Sequence, residues 1–558
     1  MLFRSHEALL ATRALVDDVR LFLVAPRCAA LKAMNSFQRR RAGGCFDARI
    51  EGAALSDAYV KIASWFRQQA AQYPTADHTD RFFVETTLSA PGAWYGARAE
   101  QLTHDPITAA DAILVEYQQL LDRFTVSVNS FERKQYVNLS HEPNKAMNLN
   151  SYLGIMGRSF LDQAVPDGRR LVPAPLIGTD ISSFPNSDYV MVLDADSIVH
   201  PTYATRLIHF LEQPTQHRVA VVQTPYSAFP HAPEPLERVA GATTDVQHVI
   251  HQGFTFYGAT FWVGANAIVR KKALDAIAKS RVERGYAIPI FIEDRTVIED
   301  TESSLDLAAA GWRLHNYPER LAYSATPADF GALLIQRQRW ANGGLIIVPK
   351  LMRHIACGWR RLDLLVEAFF RLHYLTSLTL ASIGVLAILA FSFDRQLMSV
   401  WLPITAVPYY IFYARDLIQA GYSFGDLPRV YALNLMLLPV HLGGVLQSIQ
   451  QLCSGRKSPF GRTPKVEGRT AAAPVYIVAQ YGLLAAWLLG AIREYLEGRT
   501  SNAVLAVTNA LFLYYAVHTF VRHRNALDDL RAWLRDVCVG ATRRSARQGS
   551  EGYCEGGT

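Results

Sequence analysis

The chain has 558 residues, half of them hydrophobic, and a net charge of +7, so it can bury a sizeable core in more than one structural unit. Its six cysteines (Cys28, Cys45, Cys357, Cys453, Cys538 and Cys554) include no Cys-x-x-Cys pair, which excludes a disulfide framework and a zinc site. The positive charge gathers beside apolar segments, at Arg353–Arg361, Arg456–Arg469 and Arg522–Arg544, a placement that favours a membrane surface over nucleic acid.

In chain order, residues 1–75 read as an N-terminal helical region of mixed charge. Val16–Leu31 contains Asp17, Asp18, Arg20 and Arg27 and so lacks the apolar core of a secretory signal, which predicts that the soluble part stays in the cytoplasm. Residues 76–345 read as an α/β domain. A β-rich run opens at Arg81–Thr87, Ala109–Leu121 is a predicted helix, and Phe124–Ser130 and Gln135–Leu139 are predicted strands. Asn144–Gly157 predicts a helix, Asp188–Leu193 a largely apolar strand that ends at Asp194, and Val219–Gln223 the next strand. Phe261–Val269 is a further extended stretch and Asp300–Ala310 a helix. Strands alternating with helices predict a mostly parallel sheet covered on both faces.

Residues 346–363 read as an interfacial basic helix, and 364–525 as a transmembrane domain. A span takes about 20 apolar residues. Leu372–Phe393, Leu397–Ala414, Ala471–Ile492 and Ala503–Val521 supply four. Tyr431–Cys453 is interrupted by Asn434, Pro439, His441, Gln447, Gln450 and Gln451. If it crossed, Arg456–Arg469, with three arginines and two lysines against one glutamate, would lie outside. An interfacial helix over 431–453 keeps every basic segment inside, including the loop 454–470 and the tail 526–558; five spans are the alternative.

Three groups of residues carry chemistry. Asp194-Ala195-Asp196 ends an apolar strand, and two carboxylates there suit a hard divalent cation shared with substrate phosphates, Mg²⁺ or Mn²⁺. Alone, such a pair is more often a solvated turn. Glu299-Asp300 opens a helix, where a carboxylate can take a proton from an acceptor hydroxyl or simply complement the macrodipole. In Gln336-Arg337-Gln338-Arg339-Trp340 a helix places Gln336, Arg339 and Trp340 on one face. That face offers an amide, a guanidinium for phosphate oxygens and an indole for a sugar ring, or merely a basic surface.

In order and spacing the three groups resemble the processive family-2 glycosyltransferases, the group of cellulose, chitin and hyaluronan synthases. Asn144–Asn150 (NKAMNLN) and Val263–Ala267 (VGANA) resemble two further segments of that family, and Phe460-Gly-Arg-Thr463-Pro-Lys465 resembles the gating loop of cellulose synthase. The resemblance covers roughly residues 80–525. It implies an α/β nucleotide-diphospho-sugar transferase domain followed by an α-helical transmembrane domain. It implies a membrane-bound inverting enzyme of the cytoplasmic (inner) membrane, multi-pass, with its catalytic domain in the cytoplasm. The donor would be a UDP-sugar, UDP-glucose first, and the acceptor a growing β-linked polysaccharide passed across the membrane.

The resemblance also implies roles. Asp194 and Asp196 hold the metal; Lys145, Asp194, Gln336 and Arg339 hold the nucleotide diphosphate; Asp300 is the catalytic base; Glu299 and Trp340 bind the acceptor; Phe460, Thr463 and Lys465 belong to the gating-like loop. Partners would be the UDP-sugar, the polysaccharide, the lipid bilayer and accessory subunits, with no nucleic acid. One departure stands out. The family ends its second strand with an acid against the uracil, whereas Phe124–Ser130 ends in Asn129-Ser130, leaving Glu85 or Asn129 as replacements. Two alternatives remain, a non-processive lipid glycosyltransferase and a catalytically dead membrane partner.

Overall fold

A computed structural model describes residues 2–174, 181–264, 266–356, 362–391, 401–455 and 468–535. The chain forms two compact units, one of Met1–Val137 with Asp167–Arg169 and His200–Thr202, the other of Asn138–Pro166, Arg170–Val199 and Tyr203–Thr558.

The first unit is helical: α1 (Leu2–Ala42), α2 (Ala48–Gln72), α3 (His78–Phe83), α4 (Ala90–His104) and α5 (Ala110–Asp122). Asp47 caps α2, its side chain accepting from the amides of Arg49 at 2.8 Å and Ile50 at 3.1 Å. Phe37, Leu55, Ile62, Phe66, Tyr95, Ile113 and Tyr117 form the core, with the rings of Phe66 and Tyr95 stacked 5.4 Å apart. Buried Glu51 is neutralised by Arg40 through two hydrogen bonds of 2.5 and 2.7 Å.

Three expected strands fail here. Arg81–Thr87 is no strand: it runs from α3 into a π-helical turn at Val84–Ser89 that leads directly into α4. Asp77 nucleates α3 by accepting from the Asp80 amide, and packing of this segment against α2 overrides its β-propensity. Phe124–Ser130 also lacks strand structure. Its polar groups are met instead by Arg20 of α1, which donates to the Val128 carbonyl at 2.8 Å and to Asn129 Oδ1 at 2.7 Å. Gln135–Leu139 reduces to a short 3₁₀ turn and one isolated bridge from Tyr136 to Arg169.

The second unit begins with α6 (Lys145–Leu153), capped by Asn144, which accepts from the Met147 amide at 2.8 Å. β1 (Ser159–Val165), β2 (Gly168–Pro173) and β3 (Ile181–Ser183) make a small sheet in the order β2-β1-β3. Next come β4 (Tyr189–Val192), β5 (Ser197–Val199), α7 (Tyr203–Glu212), β6 (Val219–Gln223), β7 (Tyr226–Ser227) and α8 (Pro235–Phe256). They are followed by β8 (Ala267–Arg270), α9 (Lys271–Ala276), β9 (Lys279–Glu283), β10 (Tyr286–Ile290), α10 (Glu299–Ala309), β11 (Arg313–Asn316) and β12 (Ala322–Ser324).

The main sheet has the order β11-β6-β8-β4. β6 is apolar and wholly buried, as a central strand covered on both faces should be. The α/β class stands, but the sheet is mixed rather than mostly parallel. Among the described residues of this sheet only β11 and β6 pair in parallel; β8 runs antiparallel to both β6 and β4. The chain reverses just before β8 at Gly264 (φ 112°) and Asn266 (φ 64°), which lets β8 insert between two strands that run the other way.

The C-terminal part is helical: α11 (Phe330–Ala356), α12 (Leu362–Phe391), α13 (Trp401–Gln419), α14 (Asp426–Ser454), α15 (Pro474–Leu496) and α16 (Thr500–Ala516), extended by a π-helical turn to Val521. Among the described residues three helices, Asp426–Ser454, Pro474–Leu496 and Thr500–Val521, are long and apolar enough to cross a membrane. The last two hold the expected spans 471–492 and 503–521. The expected spans at 372–393 and 397–414 fall on α12 and α13, on either side of 392–400, which lies outside the described residues. The segment read as interfacial is part of α14.

α11 and α14 pack at close backbone approach. A Cβ on Gly444 would stand 2.6 Å from the Gln338 carbonyl oxygen and 2.6 Å from Ala341 Cβ. Ser448 completes the contact by donating to the Asn342 carbonyl at 2.6 Å. Gly444→Ala should therefore force the helices apart and cost about 1–3 kcal/mol, seen as a lowered thermal midpoint of the detergent-solubilised protein. Gly253→Ala, whose added methyl meets nothing within 4 Å, is the control and should leave the midpoint unchanged or slightly raised.

Candidate active site

β4 and β6 run in the same direction, and both end against the start of β8, with Val192 and Gln223 each paired to Ala267. The carboxyl ends of such strands are where α/β sheets place their chemistry. Beyond β4 lies Asp194, whose Oδ1 accepts from Lys145 Nζ at 2.5 Å. α6 delivers that lysine from its first turn, and Asn150 near the helix's other end anchors it. Asn150 is fully buried and clamps the chain after β10, accepting from the amides of Phe291 and Ile292 at 3.0 and 2.9 Å and donating to the Ile292 carbonyl at 2.7 Å.

Asp196 turns differently. Its Oδ2 accepts from Ser324 Oγ and from the Ala325 amide, both at 3.2 Å. Those donors come from the last residue of β12 and the residue after it, and β12 pairs with β5 immediately after Asp196. The same small sheet, β5-β12-β7, brings in Tyr226 opposite Ala322.

α10 presents Glu299 and Asp300 in its first turn. The Asp300 carboxylate accepts from the Thr301 amide at 2.7 Å, and the glycine at 264 leaves its Oδ2 only 3.6 Å from where a Cβ would stand. Gln223 fixes that glycine-bearing stretch, donating to the Phe261 carbonyl at 2.6 Å and accepting from the Val263 amide at 3.1 Å. Ser304 of α10 accepts from the Trp262 amide at 2.9 Å, locking helix and stretch together.

The two carboxyls are half-buried by surface yet sit deep among protein atoms, and both are pushed above the usual carboxylate range. For Glu299 burial is the main cause and the Asp300 charge the second, raising it to about 7, against the opposing pull of Lys145 and Arg339. For Asp300 burial again raises the value, while the Thr301 amide, Lys145 and Arg339 hold it down and Asp194 adds to the rise. Tyr226 is pushed up to about 12, first by burial and then by the Asp194 and Asp300 charges.

The structure thus brings Lys145, Asp194, Glu299, Asp300 and Arg339 within one electrostatic neighbourhood. On α11, Gln336, Arg339 and Trp340 are half-buried while Arg337 between them is buried. Arg337 faces α8, donating to Thr243 Oγ1 at 2.7 Å, and stacks on Trp340 at 4.5 Å. Phe460, Thr463 and Lys465 lie outside the described residues. The two candidates for the base-binding acid do not sit at a sheet end: Glu85 is exposed on the π-helical turn and Asn129 is bonded to Arg20. Ser324 and Tyr226 escaped the sequence reading because they reach the site through three-residue and two-residue strands with no periodic signal.

Two carboxylates at the start of β5 offer hard oxygen donors to a divalent cation. Among the described residues no group of three or more His, Cys, Asp or Glu side chains is arranged to hold a metal. By the chemistry of its donors alone, the pair suits a cation that takes its remaining oxygens from a ligand, as phosphates would supply.

Residues 189–414 match the family model described as glycosyl transferase family group 2. The match begins at β4 and covers Asp194, Asp196, Glu299, Asp300, Gln336, Arg339 and Trp340. The chain is 29% identical over 186 residues to the cellulose synthase catalytic subunit (UDP-forming) of Komagataeibacter sucrofermentans, covering 31% of this chain and 22% of that one. It is 30% identical over 163 residues to the cellulose synthase 1 catalytic subunit (UDP-forming) of Komagataeibacter xylinus, covering 28% and 20%. It is 26% identical over 303 residues to cellulose synthase 1 of the same organism, covering 50% and 18%. The matched stretch spans about a fifth of the length of these curated relatives.

Ser324→Ala removes one of the two donors that orient Asp196. Mn²⁺ affinity, followed by electron paramagnetic resonance of the free ion, should weaken by about tenfold or more. Unchanged affinity would separate Asp196 from metal binding.

Proposed function

This chain is a family-2 glycosyltransferase of the cellulose synthase-like kind, and we propose that it is a membrane-bound, inverting enzyme. It transfers a sugar from a UDP-sugar, most simply UDP-glucose, to a growing β-linked polysaccharide that leaves across the membrane. The observation that carries the reading is the cluster of raised-pKa Asp300 with Glu299, Asp194, Lys145 and Arg339 at the carboxyl end of β4.

Asp300 is the base. As the acceptor hydroxyl oxygen attacks the anomeric carbon, Asp300 takes its proton, and the bond to the diphosphate breaks with its electron pair going to the departing oxygen. Attack from the opposite face turns an α-linked donor into a β-linked product. Burial makes Asp300 a stronger base than an exposed aspartate, and Lys145 and Arg339 keep it ionised enough to act. Lys145, Gln336 and Arg339 donate to the diphosphate oxygens, and Asp194 holds Lys145 in place. Trp340 gives the acceptor sugar an apolar face, and Glu299 accepts from its hydroxyls.

Enzymes of this family generally use a divalent metal. Mg²⁺ or Mn²⁺ on Asp194 and Asp196 would neutralise the charge that grows on the leaving diphosphate. In the membrane, four spans with α14 at the interface keep every basic segment and the catalytic unit on the cytoplasmic side of the inner membrane. The loop 454–470 would then act as a gate.

Asp300→Asn should lower UDP release by about a hundredfold to ten-thousandfold with donor binding retained. The pH profile has a defined sign. The base works ionised, so kcat/KM falls as pH falls through its titration. Lys145→Ala removes a cation that favours ionised Asp300, so the acid limb should move to higher pH. A limb that stays in place, or an Asp300→Asn variant as fast as the parent, would remove Asp300 from the role of base.

A further inference from the structure

Helix α8 carries a buried carboxylate that no step of the reaction uses. Asp245 is 3% exposed. Its Oδ1 accepts from Ser227 Oγ at 2.5 Å, its Oδ2 accepts from Tyr422 Oη at 2.8 Å, and Arg320 Nη2 stands 3.6 Å away. The partners come from three places: Ser227 from β7, Tyr422 from the turn between α13 and α14, and Arg320 from the segment before β12. Arg320 also reaches the Ala420 carbonyl in that turn, at 3.5 Å.

A second contact runs the opposite way between the same two elements. Arg238 of α8 donates to Asp426 Oδ2 at 2.8 Å and stacks over the Tyr422 ring at 5.5 Å. Asp426 is itself 1% exposed and accepts from the Ser423 amide and hydroxyl at 3.0 Å. Between the two contacts, a Cβ on Gly241 would lie 2.6 Å from Ala228 Cβ and 3.4 Å from Tyr422 Oη, so α8 is seated directly on the chain that follows β7. Apolar packing could join these elements at no greater cost, since a buried ionic group is seldom a net gain in stability over hydrophobic packing. The carboxylate sets direction and register instead: it accepts from a strand hydroxyl on one oxygen and from a turn hydroxyl on the other.

Ser227 directly follows Tyr226, which pairs with β12, the strand whose Ser324 donates to Asp196, and which feels the Asp194 and Asp300 charges. We propose that Asp245 is a positioning residue that ties the α13–α14 turn to β7, so that the placement of Tyr226 against the catalytic carboxylates follows the placement of that turn. The kinetic part of this inference rests on the transferase reading above; the structural part does not.

The test uses the full chain in lipid nanodiscs and Tyr422→Phe, which keeps the ring and removes only the hydroxyl, with Asp245→Asn as the second variant. Two readouts are taken: hydrogen exchange of the segment 224–230 without any donor, and UDP release from UDP-glucose. The proposal expects faster exchange at 224–230 but not at β6 or β8. It expects kcat to drop about tenfold to a hundredfold, as small misplacements in an active site do, with donor KM nearly unchanged. Unaltered exchange at 224–230 in both variants would overturn it, whether or not UDP-glucose is turned over. Loosening spread over the whole sheet, or local loosening with an unchanged kcat, would overturn it too. If the parent releases no UDP, the transferase reading fails and the exchange result alone decides the link between turn and strand.

Discussion

Two carboxyls adjacent in sequence, Glu299 and Asp300, stand side by side among protein atoms, where ionising both is unfavourable. The protein sets two cations near them, Lys145 from α6 and Arg339 from α11, and lets the carboxyls rise above their ordinary range. Much of the second unit follows from this constraint. α10 must start there, α6 and α11 must each aim a long side chain there, and the backbone at Gly264 must come close without a side chain of its own. Buried polar contacts fix three of these segments: Asn150 for α6, and Gln223 and Ser304 for the Gly264 stretch against α10.

α11 has two duties, which explains how it is packed. One face carries Gln336, Arg339 and Trp340, of which Arg339 acts on Glu299 and Asp300. Other positions, at Gly331, Gly343 and Gly344, lie so close to neighbouring segments that a methyl would stand about 2 Å from atoms of Thr470, Ile298 and Leu375. The helix that bears Gln336 and Arg339 is thus wedged between α10, α12 and α14. α14 belongs to the apolar C-terminal part, and a movement of it would reach the site through α11.

The parts of this arrangement that could be read in the sequence are those whose chemistry is local. β4 and β6 announced themselves by apolar runs and α10 by the acids of its first turn, and of the residues matched by order and spacing, Asp194, Asp300 and Arg339 share one electrostatic neighbourhood. What could not be read depends on tertiary partners. Arg81–Thr87 has β-rich composition, but it extends a capped helix and packs on α2. Phe124–Ser130 has the alternation of a strand, but Arg20 satisfies its polar groups. β8 runs antiparallel because the chain turns back at Gly264 and Asn266, and no periodicity reports direction. Ser324 and Tyr226 come from strands too short to carry a pattern.

Whether this cluster builds a β-linked polymer from a nucleotide sugar is tested most directly by linkage analysis of the product. The purified chain is given radiolabelled UDP-glucose with Mg²⁺. The expected result is label in a polymer that β-glucanase digests. Label confined to a single sugar on lipid, or no transferred label from any UDP-sugar, would contradict it.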